Sequence, residues 1–347
     1  MEIILQIVLL IVGFVILIKG ADMFVDGASA TAENFKVPKM LIGLTIVAFG
    51  TSAPEFAVSV KSLISGNTDM LLGNVIGSNI LNILLIIGVA AIIKPLVVKN
   101  NTVKKELPIV ILMTLMFVAL LADSFFDPNI TASFSRQDGV VIVIAFLIFI
   151  YYLIQMNRAK KTAEGLKKVN KTLELLEDTK TEPVKKENEV DEAPSMKLGK
   201  ALIFTVLGIA GIVIGSNFVV DSASSVASIL GVSARLISLT IVALGTSLPE
   251  LVTSIVATRK GEVDLAIGNV VGSNIFNIGV VTGAPVAILG GIPEISFSLV
   301  DIVMVLGSAF LLYVFARDDR IVSRREGMIL LIFFVVYYGY VVVSGLI

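Results

Sequence analysis

One interval governs this chain. The hexapeptide GTSAPE occupies residues 50–55, and GTSLPE occupies residues 245–250. Glu250 follows Glu55 by 195 residues, and the same interval separates Thr246 from Thr51, Ser273 from Ser78 and Asn277 from Asn82. It carries through a second pair of stretches, GNVIGSNILN at 73–82 and GNVVGSNIFN at 268–277, and already holds at VDGAS (25–29) and VDSAS (220–224). About half of residues 45–82 are identical to their partners. A gapless internal repeat of this size means that two halves fold alike and pack as a pair.

Each motif lies within a long apolar run, and the composition fixes what those runs are. Hydrophobic residues make up 56% of the 347-residue chain and charged residues 16%, with a mean hydropathy of +0.95. A soluble chain of this length needs far more polar surface, so a polytopic, all-α membrane protein is expected. Ten apolar runs fall at 3–24, 40–64, 69–93, 107–123, 138–157, 198–220, 235–258, 263–290, 297–316 and 327–346. Each is long enough to cross a hydrocarbon core of ~30 Å with some tilt. The N-terminus lacks a basic start and a cleavage signal, so the first run is read as a retained span.

Lys and Arg set the expected orientation. With the N-terminus outside, the inward loops carry Lys36, Lys39, Lys94, Lys99, Lys104, Lys105, the segment 158–200, Arg259, Lys260, Arg317, Arg320, Arg324 and Arg325. The outward loops carry Lys61, Arg136 and Arg235. Both termini are therefore expected outside and the central linker in the cytoplasm. The repeat interval holds five of the ten runs. Five is odd, so the second half enters from the opposite side, and the halves become inverted repeats about an axis in the membrane plane. The expected organisation is a first five-helix repeat at 1–157, a cytoplasmic linker at 158–197 and a second repeat at 198–347. The motif regions are 43–83 and 238–278.

Glu55 and Glu250 lie near the middle of their spans. A carboxylate there costs several kcal/mol unless a cation meets it. A basic partner would also serve, yet no Lys or Arg lies within ten residues on the N-terminal side of either. Pro54 and Pro249 remove backbone donors and break the helices. Freed carbonyls at membrane depth are tolerated where they line a cavity or hold an ion, which makes those of Ala48, Thr51, Ala243 and Thr246 candidate ligands. Ser52 and Ser247 add hydroxyls beside them. Ser78, Asn82, Ser273 and Asn277 are further neutral donors, and Gly73, Gly77, Gly268 and Gly272 have the small-residue spacing of close helix packing. An inverted pair of broken helices brings two mid-span acids to one depth, as the halves of a single cation site.

The chain has no cysteine and no histidine. Disulfides and thiolate or imidazole metal sites are excluded, and any bound metal is held by oxygen, which selects hard cations. No basic stripe with interleaved aromatics points to nucleic acid. No enzyme is expected, since no Cys or His nucleophile or base exists and no Ser–Lys pair occupies a span. Asp69 and Asp264 are read as helix caps or surface charges, and Asp26 and Asp221 as surface or entrance residues. In the linker, Leu166, Val169, Leu173 and Leu176 recur at helical spacing, so a short amphipathic helix on the inner surface is expected. The following TEPVKKENEVDEAPS has the composition of a disordered tether.

The paired motifs resemble the alpha-1 and alpha-2 repeats of the calcium/cation antiporters, in particular the prokaryotic sodium/calcium exchangers, and the resemblance covers essentially the whole chain. It implies a ten-helix inverted-repeat fold and exchange of sodium for calcium, with no cofactor besides the transported ions. It also implies that Glu55 and Glu250 bind both ions. The backbone at Ala48, Thr51, Ala243 and Thr246 and the side chains of Ser52, Ser78, Asn82, Ser247 and Ser273 join them. Several relatives carry Asp where this chain has Asn277, and in the potassium-dependent branch that Asp is associated with potassium. Asn277 therefore implies potassium independence and leaves the site at two negative charges. Calcium/proton antiport on the same fold is the alternative, and a channel a more distant one.

Overall fold

The computed structural model describes residues 2–66, 68–122, 133–178, 195–232, 241, 243–293 and 298–346, with the side chains of 2, 68–69, 159–161, 163–178, 243 and 345–346 left aside. The described chain is helical apart from loops and one short two-stranded ribbon. Helix α1 (Glu2–Phe35) is followed by a bent pair, α2 (Lys39–Thr51) and α3 (Ala53–Ile64), which meet at 48°. Then come α4 (Met70–Ile93), β1 (Leu96–Val97), α5 (Leu107–Leu121) and α6 (Arg136–Asp178). The second half contributes α7 (Leu198–Ile229), α8 (Ala243–Thr246), α9 (Leu248–Arg259), α10 (Val263–Leu289), α11 (Leu299–Arg317), β2 (Ile321–Val322) and α12 (Arg324–Leu346).

Among the described residues, seven helices are long and apolar enough to cross a membrane, and the bent α2–α3 pair makes an eighth. The sequence predicts ten. The two shortfalls have a simple origin. Helix α5 is 15 residues long where the run 107–123 was expected, and the run 235–258 is described mainly as α8 and the 12-residue α9. Arg235 lies outside the described residues, as does the side chain of Asp69.

Burial sorts the helices. The most apolar window of α10 is 94% buried and that of α4 is 72% buried, against 17% for α1 and α12. Helices α4 and α10 thus form the centre, and the outer helices turn apolar faces outward, as a bilayer requires. Close packing comes from glycine. A Cβ on Gly208 would sit 2.5 Å from the Phe24 nitrogen, and one on Gly215 would sit 2.5 Å from that of Leu17, so α1 and α7 touch backbone to backbone. Gly43 of α2 meets Gly268 of α10 in the same way, with 2.9 Å from a Gly268 Cβ to the Gly43 Cα. These contacts are the small-residue interfaces that let membrane helices approach.

The loops sort to two ends. At one end, Lys39 Nζ bonds Glu262 at 2.6 Å, Lys99 pairs with Asp264, the Val98 N–H donates to the Arg320 carbonyl, β1 pairs antiparallel with β2, and the Ser195 N–H donates to Glu33. At the other, Phe134 bridges to Ile292. The linker differs from expectation in one respect. Helix α6 runs unbroken from the fifth apolar run to Asp178, so Leu166, Val169, Leu173 and Leu176 lie on its continuation and not on a separate helix. Lys, Glu and Leu are good helix formers, and nothing between Arg158 and Asp178 stops the helix. Of the expected tether at 181–195, all but Ser195 lies outside the described residues.

Candidate cation site

The site begins at two helix breaks. Ser52 (φ −82°, ψ 10°) and Ser247 (φ −87°, ψ 6°) leave the helical region at matching places. Pro54 and Pro249 follow as second residues of α3 and α9, where a missing N–H costs least. The Ala48 carbonyl accepts the Ser52 N–H at 3.0 Å, and the Phe56 N–H reaches the Ser52 carbonyl, but the ladder skips the Thr51 carbonyl between them. Thr51 thus presents a carbonyl at the break, whereas the Ala48 carbonyl also lies 3.4 Å from the Thr51 hydroxyl. Ala243 and Thr246 bound the short α8 and occupy the equivalent places.

One turn beyond each break, Glu55 and Glu250 are 1% and 0% exposed. Each is bound by a residue of the opposite half. Ser52 Oγ donates to Glu250 Oε1 at 2.8 Å, and Ser247 Oγ donates to Glu55 Oε1 at 3.2 Å. Ser247 Oγ also lies 3.1 Å from Ser78 Oγ. The two breaks therefore converge, and the acids share one buried locus.

Asparagines tie the breaks to the central helices. Asn74 Nδ2 donates to the Glu55 carbonyl at 3.2 Å and to Ser59 Oγ at 3.3 Å. Asn269 Nδ2 does the same to the Glu250 carbonyl and Ser254 Oγ, at 3.3 and 3.0 Å. Thr51 Oγ1 lies 3.0 Å from Asn269 Oδ1, and Thr246 Oγ1 donates to Asn74 Oδ1 at 3.4 Å. Every one of these bonds has a partner obtained by moving each residue 195 places. That reciprocity is what a two-fold relation between the halves produces.

The remaining atoms define the chemistry. Glu55 Oε2, Glu250 Oε2, Asn82 Oδ1, Asn277 Oδ1 and Ser273 Oγ are buried oxygens without a hydrogen-bond partner. A buried polar atom left unsatisfied is costly, and two carboxylate oxygens together with three neutral side-chain oxygens of the same motifs make a candidate set of cation ligands. Among the described residues no cluster of three or more acidic side chains offers a metal site. The site is instead two acids supplemented by neutral oxygens, which suits a hard cation of 6–8 ligands.

Other acids lie elsewhere. Asp264 sits in the first turn of α10, is no cap, and pairs with Lys99. Asp26 holds Lys260 Nζ at 2.7 Å, and Asp221 is exposed. Sequence reasoning passed over Ser59 and Ser254, although both are preserved across the repeat one turn after the acids. It also passed over Glu106, which is 1% exposed and accepts the Tyr152 hydroxyl at 2.6 Å.

Comparison with known proteins gives this geometry its family. The model of the sodium/calcium exchanger protein family matches residues 5–155 and 200–343. The chain belongs to the sodium/calcium exchanger protein family. Its relatives include the putative antiporter CaxA of Alkalimonas amylolytica, 38% identical over 333 residues covering 95% of this chain and 96% of that one. The sodium/calcium exchanger MaX1 of Methanosarcina acetivorans is 31% identical over 350 residues, covering 95% and 96%. A solved structure of the sodium-calcium exchanger NCX_Mj superposes with a TM-score of 0.77 at 29% identity, covering 99% of both chains. The exchanger is thus a multi-pass membrane protein of the cation/calcium antiporter class.

Proposed function

We propose that this exchanger moves calcium against sodium by alternating access, electrogenically and without potassium. The observation that carries the reading is the crossed pairing of Ser52 with Glu250 and Ser247 with Glu55, because it makes one site out of two halves. Two carboxylates supply two negative charges, which one calcium ion or two sodium ions neutralise. Ser273, Asn82 and Asn277 offer neutral oxygens for a third sodium, and a third sodium makes the cycle electrogenic. The two loads compete for the same atoms, so they alternate. An empty pair of acids at that depth is costly, which disfavours return of the unloaded carrier.

The proposed architecture is ten spans in two inverted five-helix repeats, with both termini outside and the linker in the cytoplasm. The gathering of the basic loops near Lys39, Lys99, Arg320 and Ser195 at one end supports that orientation. The proposed ligands are Glu55, Glu250, Ser52, Ser247, Ser78, Ser273, Asn82 and Asn277, with the carbonyls of Ala48, Thr51, Ala243 and Thr246. Transport, with no chemical step on the cargo, is the whole activity.

Purified exchanger in sealed vesicles tests this. An outward sodium gradient is expected to drive calcium uptake that responds to membrane voltage and ignores potassium. Uptake that follows a pH gradient and disregards sodium would establish proton coupling instead. Calcium flux with no counter-ion would make the protein a channel.

A further inference from the structure

Asn79 and Asn274 lie between the ligand-bearing residues on α4 and α10, at 2% exposure each. Asn79 Nδ2 donates to the Asn274 carbonyl at 3.3 Å, and Asn274 Nδ2 donates to the Asn79 carbonyl at 3.3 Å. A backbone carbonyl only accepts, so it fixes which end of each amide is nitrogen and resolves the usual ambiguity of amide placement. Each Oδ1 then points the other way. Asn79 Oδ1 accepts from Asn277 Nδ2 at 3.1 Å, and Asn274 Oδ1 accepts from Asn82 Nδ2 at 2.9 Å.

The consequence reaches the site. Asn277 and Asn82 must spend their nitrogens on these bonds, and their oxygens, Oδ1 of each, remain buried and unpartnered. A flipped amide would turn N–H donors toward the cation. We infer that Asn79 and Asn274 are positioning residues, each aiming the ligand oxygen of an asparagine in the opposite half of the chain. The inference rests on the shared cation site proposed above. It makes the orientation crossed: Asn79 acts on Asn277, and Asn274 acts on Asn82.

That crossing is testable by double-mutant cycles on calcium binding to the detergent-purified full chain, with thermal melting measured in parallel. Asn79→Ala and Asn274→Ala are each expected to weaken calcium binding by roughly tenfold, the lower range for loss of a residue that orients a metal ligand. On an Asn277→Ala background, Asn79→Ala is expected to change affinity by less than about twofold, because its target is gone. On an Asn82→Ala background its effect is expected to persist in full, and Asn274→Ala should show the reverse pattern. Serine at 79 or 274, too short to reach the same amide, serves where alanine prevents insertion. Additive effects in all four combinations, or a loss confined to melting temperature, would overturn the positioning role while leaving the site intact. Absence of calcium binding by the unaltered chain would overturn the site itself.

Discussion

Glu55 and Glu250 carry the account at the scale of single residues. Each has one oxygen held by a serine across the repeat and one oxygen with no partner. Replacing either acid by glutamine keeps the shape and halves the charge. Glu55→Gln and Glu250→Gln are each expected to weaken calcium binding by about 100-fold or more, since removing one member of a buried charged cluster leaves the rest uncompensated. Retained calcium exchange in either variant, measured in vesicles, would contradict the shared site. Both acids, with Ser52 and Ser247, were legible in the sequence because the 195-residue interval pairs them. The asparagine lattice was only half legible. The motif spacing places Asn79 beside Asn82, but no spacing says which amide atom faces the cation. That depends on the backbone carbonyl each nitrogen meets.

At the scale of elements, the breaks at Ser52 and Ser247 do the placing. Pro54 deprives the Gly50 carbonyl of its usual donor, and α2 meets α3 at 48°. Asn82 and Asn277 each open a wide-turn π-helical segment, Asn82–Ile87 and Asn277–Thr282, a local device that recurs at functional sites. Pro54→Ala restores a donor and favours a straighter span. It is expected to leave the melting temperature unchanged or higher while cutting calcium affinity by about tenfold, through misplaced Thr51 and Ser52. An unchanged affinity would show that the bend is incidental. The breaks were readable from proline beside acid, whereas the helix ends were not. Helix α1 extends to Phe35, well past the expected 24, and Ser29 and Thr31 in that extension are buried. The sequence of α6 reads as span plus amphipathic helix, yet no breaker separates the two.

For the whole molecule, the two-fold relation is nearly complete at the site and is broken at one end. There Lys260 meets Asp22 and Asp26, and Lys39 meets Glu33 and Glu262. Five of their counterparts 195 places away are neutral, Ser65 for Lys260, Asn217 for Asp22, Ala234 for Lys39, Ser228 for Glu33 and Asn67 for Glu262, while Asp26 alone keeps an acid, Asp221, which has no lysine at 65 to meet. If the halves exchange roles as proposed, their facing states would otherwise be equal in energy, and these charges would favour the form in which their own end is closed. Exposed pairs are worth ~0.2–1 kcal/mol each, enough for a few-fold shift in population. The chain has no native cysteine, so labels at Phe35→Cys and Arg259→Cys report that end cleanly. Lys260→Gln is expected to add a longer-distance population between them, and an unaltered distance distribution would rule the bias out.

Equilibrium calcium binding to the purified chain, titrated at increasing sodium, probes the central claim most directly. One calcium per chain, displaced competitively by sodium and weakened alike by Glu55→Gln and Glu250→Gln, is the predicted result. Two calcium ions per chain, each answering to one acid alone and indifferent to sodium, would contradict it.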